Sequence, residues 1–93
     1  MDGRSYEPYP SDFNNILKRC IRKRDNYTCQ KCYKTQKQEL ITINKKLSIH
    51  HIDYNKFNCS EFNLITLCNK CNHTVNSNRD YWFAYFIYAM ENK

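Results

Sequence analysis

Glycine is nearly missing from this chain, at one residue in 93, and there are only two prolines. That scarcity leaves little material for flexible linkers and predicts one small domain rather than several joined units. Long apolar runs are missing too. The longest lies in the Tyr81–Met90 region and is too short to span a bilayer. No apolar leader opens the chain, where Met1-Asp2-Gly3-Arg4 runs into charged residues. Acidic groups are in deficit, nine against fifteen lysines and arginines, for a formal charge of +6. No membrane span is therefore expected, and a reducing, cytoplasmic setting is the expected one.

What the chain does have is cysteine, six of them, and aromatic residues at 15%. Six cysteines suit a disulfide-stapled secreted domain, but four of them form two close pairs, Cys29-Gln30-Lys31-Cys32 and Cys68-Asn69-Lys70-Cys71. Such neighbours rarely bridge one another without strain, so the pairs favour a metal over disulfides. A core of this size is marginal on its own, and a structural zinc site contributes roughly 10–16 kcal/mol of folding free energy. Four thiolates leave a tetrahedral zinc no open position, which makes Cys29, Cys32, Cys68 and Cys71 a structural set. A redox role for one CxxC is the rival reading, and two matched pairs speak against it. Cys59 stands alone in a polar loop and receives no ligand role.

The basic residues are clustered. Lys18, Arg19, Arg22, Lys23 and Arg24 crowd one helical stretch, and Lys31, Lys34 and Lys37 continue beyond it. Such a field attracts polyanions, with nucleic acid the default partner, although a solvated helix face has the same composition.

Residues 1–10 read as an extended arm. Ser11 or Asp12 can cap the helix that follows. Phe13, Ile16, Leu17, Cys20 and Ile21 recur at helical spacing as an apolar stripe, in which Cys20 reads as a small buried hydrophobe. Asp25-Asn26 ends that helix and leads into the first cysteine pair. Leu40–Ile43 and Leu47–Ile52 are β-branched and predict two strands, which a hairpin across Asn44-Lys45-Lys46 would join. The polar loop Asp53–Glu61 follows, then a strand at Leu64–Leu67 that enters the second cysteine pair. A helix is expected to start over Asn72–Ser77, and Asp80–Met90 is strongly helical. Its Tyr81, Trp82, Phe83, Tyr85, Phe86 and Tyr88 predict burial on several sides.

Between the cysteine pairs lies Ile49-His50-His51-Ile52. On a strand the two histidines point to opposite faces. One can ligate a metal while the other keeps a lone pair for proton transfer, a division suited to metal-assisted phosphodiester hydrolysis.

The segments Arg24–Cys29, Ser48–Tyr54 and Asn63–Asn72 together resemble the HNH endonuclease family, closest to its small zinc-knuckled members from phages and other mobile DNA. The resemblance covers roughly residues 8–86, including the Asn78-Arg79-Asp80-Tyr81-Trp82 segment. It implies an α+β domain with a ββα-metal core, treble-clef-like, of the His-Me finger type, spanning residues 11–93. An N-terminal amphipathic helix and a C-terminal aromatic helix would flank that core. It also implies DNA cleavage with Mg2+ or Mn2+. Carried over by position, His51 is the general base, His50 a ligand of the catalytic metal, and Asn63 the residue that fixes the loop between the strands. Asn72 is the second metal ligand, with His73 as the alternative. Asn72 offers a neutral oxygen, which suits hard magnesium better. Thr74 stands where many relatives carry a lysine, and Arg79 is its candidate replacement as a phosphate contact.

Three functions compete. A DNA endonuclease uses every feature above. A zinc-dependent DNA-binding module explains the charge and the cysteines but gives His50, His51 and Asn72 no task. A protein-interaction domain explains the aromatic helix alone. DNA contact is expected through the basic stretch 18–24 and Arg79, by a monomer or a dimer.

Overall fold

The computed structural model describes residues 11–92. The arm expected over residues 1–10 lies outside them. The elements are α1 (Asn15–Arg24), α2 (Gln36–Ile43), β1 (Ser48–His51), a 3-10 turn (Glu61–Asn63), β2 (Leu64–Leu67), α3 (Asn69–Thr74) and α4 (Arg79–Glu91). The protein is thus a small α+β domain built on one two-stranded antiparallel sheet. No helix among the described residues is long and apolar enough to cross a membrane.

Helix α1 is capped by Asn14, whose side chain accepts from the Leu17 N–H at 3.0 Å, and not by Ser11 or Asp12. It ends at Asp25 as expected, with Arg22, Lys23 and Arg24 in its last turn, where positive charge offsets the helix dipole. The apolar stripe is narrower than its spacing suggests. Ile21 is buried and Phe13 and Leu17 are half-buried, but Ile16 and Cys20 are exposed. Cys20 is therefore not a core residue. Polar ties replace the missing apolar contact: Arg22 Nε donates to the Leu47 carbonyl at 2.8 Å. Arg24 donates to the Glu61 and Leu64 carbonyls, both at 2.6 Å.

Asp25 completes this anchor. Its two oxygens accept from Arg24 Nε and Nη2 at 2.9 Å, and Oδ2 also accepts from the Thr66 N–H at 3.0 Å. The Asp25 side chain is wholly buried while Arg24 is partly exposed. Removing the carboxylate would strand a buried strand N–H and a guanidinium together, a loss of about 3 kcal/mol. Asp25→Ala is accordingly expected to lower the urea midpoint by that equivalent, and a midpoint within experimental error of wild type would refute the role of the clamp.

The strand expected at Leu40–Ile43 is instead the end of α2, so the hairpin across residues 44–46 does not form. A capping box decides the matter. Gln38 N–H donates to Thr35 Oγ1 at 3.2 Å, and Thr35 N–H donates to Gln38 Oε1 at 2.9 Å. Two terminal donors are satisfied at once, which outweighs the weak strand preference of a few β-branched residues. Asn44 closes the helix in the left-handed region, at φ 56°.

Strand β1 pairs instead with β2, with Ser48 opposite Leu67, Ile49 opposite Thr66, His50 opposite Ile65 and His51 opposite Leu64. All four residues of β2 are buried. Helix α3 then begins at Asn69 rather than Asn72, because Cys68 acts as its N-cap. Helix α4 forms where expected, but only Phe86 is buried and Trp82 half-buried; Tyr81, Phe83, Tyr85 and Tyr88 are exposed. Six aromatics over eight positions encircle a helix of 3.6 residues per turn, and only one side faces the core. That core joins Leu47, Ile52, Ile65, Leu67, Val75 and Phe86 to three of the cysteines.

The scarcity of glycine has a local consequence. Asn26, Tyr27, Tyr33, Asn44, Tyr54 and Asn78 all adopt positive φ. Asparagine tolerates this region through its short polar side chain, whereas the tyrosines are held there by their surroundings.

Candidate functional site

The first cysteine pair lies in a tight turn. Cys29 N–H donates to the Lys34 carbonyl at 2.8 Å, and Tyr33 N–H returns to the Cys29 carbonyl at 2.9 Å with Tyr33 at φ 68°. The second pair opens α3. Within each pair one thiol is aimed by the backbone, since Cys32 N–H points to Cys29 Sγ at 3.5 Å and Cys71 N–H to Cys68 Sγ at 3.4 Å. The four sulfurs lie within 4.8 Å of one another. A tetrahedral zinc with Zn–S bonds of about 2.3 Å has S–S edges of about 3.8 Å. Cys32 Sγ and Cys68 Sγ are 3.7 Å apart.

Burial works to raise the Cys29 thiol, but N–H groups of Cys32, Cys68 and Lys31 outweigh it and hold Cys29 below its usual range. Cys68 and Cys71 are pushed up, chiefly by burial. Thiols this crowded ionise together only around a cation. The cluster is therefore able to hold a structural metal ion such as zinc.

Glu39, which spacing did not single out, braces this centre. It is 1% exposed, accepts from the Asn69 N–H at 2.6 Å and pairs with Lys34 Nζ at 2.9 Å, tying α2 to the start of α3. Those two donors hold its carboxyl below the usual range although burial pushes the other way. The Thr35–Gln38 capping pattern was the available signal, because it fixes the helix that aims Glu39. Lys31, from the first knuckle, places Nζ 4.9 Å from the centre of the Trp82 ring.

The two histidines end β1 in different surroundings. His50 packs edge-on against Tyr54 at 4.9 Å and against Phe86 at 5.7 Å between ring centres. His51 packs against Phe13 at 4.6 Å, with Cys59 Sγ 4.0 Å from its Nε2. Both rings are buried. Burial, then the proximity of His51 and Arg79, lowers His50 to about 4. Burial also lowers His51, against an upward pull from Asp53. Both imidazoles are consequently neutral at pH 7. His50 Nε2 is buried with no hydrogen-bond partner among the described residues.

A cleft of about 270 Å³ brings His50 and His51 together with Tyr54, Lys56, Asn72 and Arg79. Asn72 reaches it from α3, whereas His73 is exposed and does not line it. Thr74 is turned back to the Lys70 carbonyl at 3.0 Å. Arg79 stacks its guanidinium 4.6 Å from the centre of the Tyr54 ring. Tyr54 carries φ 64° and donates its hydroxyl to the Val75 carbonyl, which ties the loop after β1 to the end of α3.

Asn63 stands behind this loop and not in the cleft. Its Oδ1 accepts from the Asp53 N–H at 3.0 Å, and its Nδ2 donates to Asp53 Oδ1 and to the Asn58 carbonyl, both at 2.9 Å. Of the basic stretch 18–24, Arg24 is committed to carbonyls and Asp25, so it is not an open phosphate contact. Cys59 lies outside the four-cysteine cluster. Comparison with protein-family models, curated proteins and solved structures finds no match to this chain.

Proposed function

We propose that this protein is a metal-dependent DNA endonuclease of the HNH type, with a structural zinc held by Cys29, Cys32, Cys68 and Cys71. The observation that carries the reading is a buried, neutral His50 whose Nε2 has no partner among the described residues, sharing one cleft with His51 and Asn72. The chain order β1, β2, α3, with β1 and α3 both lining that cleft, supports a ββα-metal core.

His51 is the general base. As a neutral imidazole it takes the proton from the attacking water. Asp53, two residues further on in the loop after β1, stabilises the imidazolium that results, as its upward pull on His51 indicates. His50 and Asn72 would hold Mg2+ or Mn2+, the Asn72 oxygen suiting either hard ion and the His50 nitrogen adding a weaker donor. A divalent cation there supplies charge to the phosphoryl oxygens and the leaving group. Asn63 keeps the loop that carries Asp53 in place, and Arg79 and Lys56 offer positive charge to the phosphate. The basic residues of α1 contribute non-specific attraction to DNA.

Supercoiled plasmid incubated with the protein is expected to relax or linearise when Mg2+ or Mn2+ is added, and to stay supercoiled without either. Plasmid that is bound but never cut, across both metals, would overturn the nuclease reading in favour of a non-catalytic DNA-binding module.

A further inference from the structure

Three clefts on this molecule share walls. Lys18, Arg22 and Lys46 line both a cleft of about 390 Å³, which Arg19 also lines, and a cleft of about 300 Å³. The second of these continues over Ile49 and Asn72, which also line the histidine cleft. These shared residues place the three clefts in a row, hereafter the trench, from Arg19 past Asn72 to His50, His51 and Arg79. Among the described residues no aspartate or glutamate lines any part of it. Among the described residues the ion pairs are Arg24–Asp25 and Lys34–Glu39, so no carboxylate neutralises Lys18, Arg19, Arg22 or Lys46.

The positive groups are also positioned. Arg22 is fixed in the wall by its bond to the Leu47 carbonyl at 2.8 Å. Lys18 Nζ rests 4.7 Å from the centre of the Phe13 ring, a contact that orients its charge without cancelling it. Lys46 arrives from another element, carried by the turn that Asn44 makes at the end of α2. Like charges held on two facing elements repel one another, and a groove of this kind is relieved by a polyanion lying along it.

We infer that the trench seats the phosphodiester backbone of a DNA strand, with Lys18, Arg22 and Lys46 contacting phosphates remote from the one at His51. The inference rests on the nuclease reading for its occupant and adds the path that occupant takes. A row of adjoining basic clefts suits an extended strand better than an isolated anion, and contacts along it carry binding energy away from the reacting phosphate. Lys46 belongs to this path although it lies outside the basic helix, and Arg24 does not although it lies within it.

The test is the salt dependence of binding to a fluorescent DNA duplex with no divalent cation added. Lys18→Gln/Lys46→Gln is compared with Lys37→Gln/Lys70→Gln, which removes the same charge from exposed positions that line none of the clefts. Each phosphate contact contributes close to one unit to the slope of log K against log salt. The trench variant is expected to lose about two units of slope and to bind about tenfold or more weakly at low salt, while the control keeps the wild-type slope. Lys18→Arg/Lys46→Arg restores the charge and is expected to restore the slope. Equal losses in trench and control variants would mean diffuse attraction and overturn the inference, as would no loss in either. Because the readout needs no cleavage, a plasmid left uncut beside the expected slope change strikes the nuclease reading and leaves the trench standing.

Discussion

A Cys68→Ser chain is expected not to fold. Cys68 has three tasks at one position: a thiol of the four-cysteine cluster, the N-cap of α3, and a buried part of the core. Serine keeps an oxygen able to cap the helix, so the substitution isolates the loss of the ligand. Zinc binding in such sites is worth roughly 10–16 kcal/mol of folding free energy. The whole stability of an ordinary domain is about 5–15 kcal/mol, so the loss is as large as the stability of a domain of this kind. Far-ultraviolet circular dichroism should show no cooperative melt, and the purified chain should carry no stoichiometric zinc. Wild-type protein treated with a strong chelator should behave the same way, and re-addition of zinc should restore the melt. Cys20→Ser is the control, because Cys20 is exposed and outside the cluster. A Cys68→Ser protein melting like wild type would remove the structural metal from the account.

The parts of the fold legible in the sequence were those fixed by local chemistry. The CxxC pairs show in their spacing because two thiols on one turn converge on one point whatever surrounds them. Leu64–Leu67 reads as a strand because all four residues are apolar or β-branched, and its complete burial follows from lying beneath both α1 and α3. Leu40–Ile43 has similar residues but a different fate. A capping box five residues upstream of Leu40 starts a helix, and Glu39 then anchors that helix from inside. The propensity of four residues cannot report an anchor that closes on Asn69, thirty positions away.

The aromatic helix and Cys20 fail for a related reason. Periodicity shows that a face is apolar, not that another element is present to cover it. Asp25 and Arg24 are the reverse case. Charged residues at a helix end read as solvent-facing, yet here they replace apolar packing by binding β2 and the turn before it. At the histidines, the residue types and their place between the cysteine pairs were legible. Donor chemistry favoured Asn72 over His73, but which of the two faces the cleft was not legible, since it turns on where α3 begins. The Cys68 cap starts the helix at Asn69, and in that phase Asn72 reaches the cleft while His73 is exposed.

His51→Ala is expected to lose DNA cleavage while keeping its fold, its zinc and its DNA binding. The argument begins with the surroundings of the ring. His51 touches Phe13 and lies near Cys59, away from the cysteine cluster, so removing it opens a small void at the end of β1 without touching a metal ligand. Removal of a positioned general base lowers the rate by about 10²–10⁴-fold. Plasmid relaxation measured as a rate under saturating Mg2+ should fall within that range, with affinity for uncut duplex unchanged. His50→Ala should differ in kind. It removes the buried, unpartnered Nε2 from the cleft, so its residual activity should respond to raised Mn2+ concentration where that of His51→Ala does not. The contrast separates a proton acceptor from a metal ligand at adjacent positions. Equal cleavage by wild type and His51→Ala would take the base role from His51, and identical metal responses in the two variants would take the ligand role from His50.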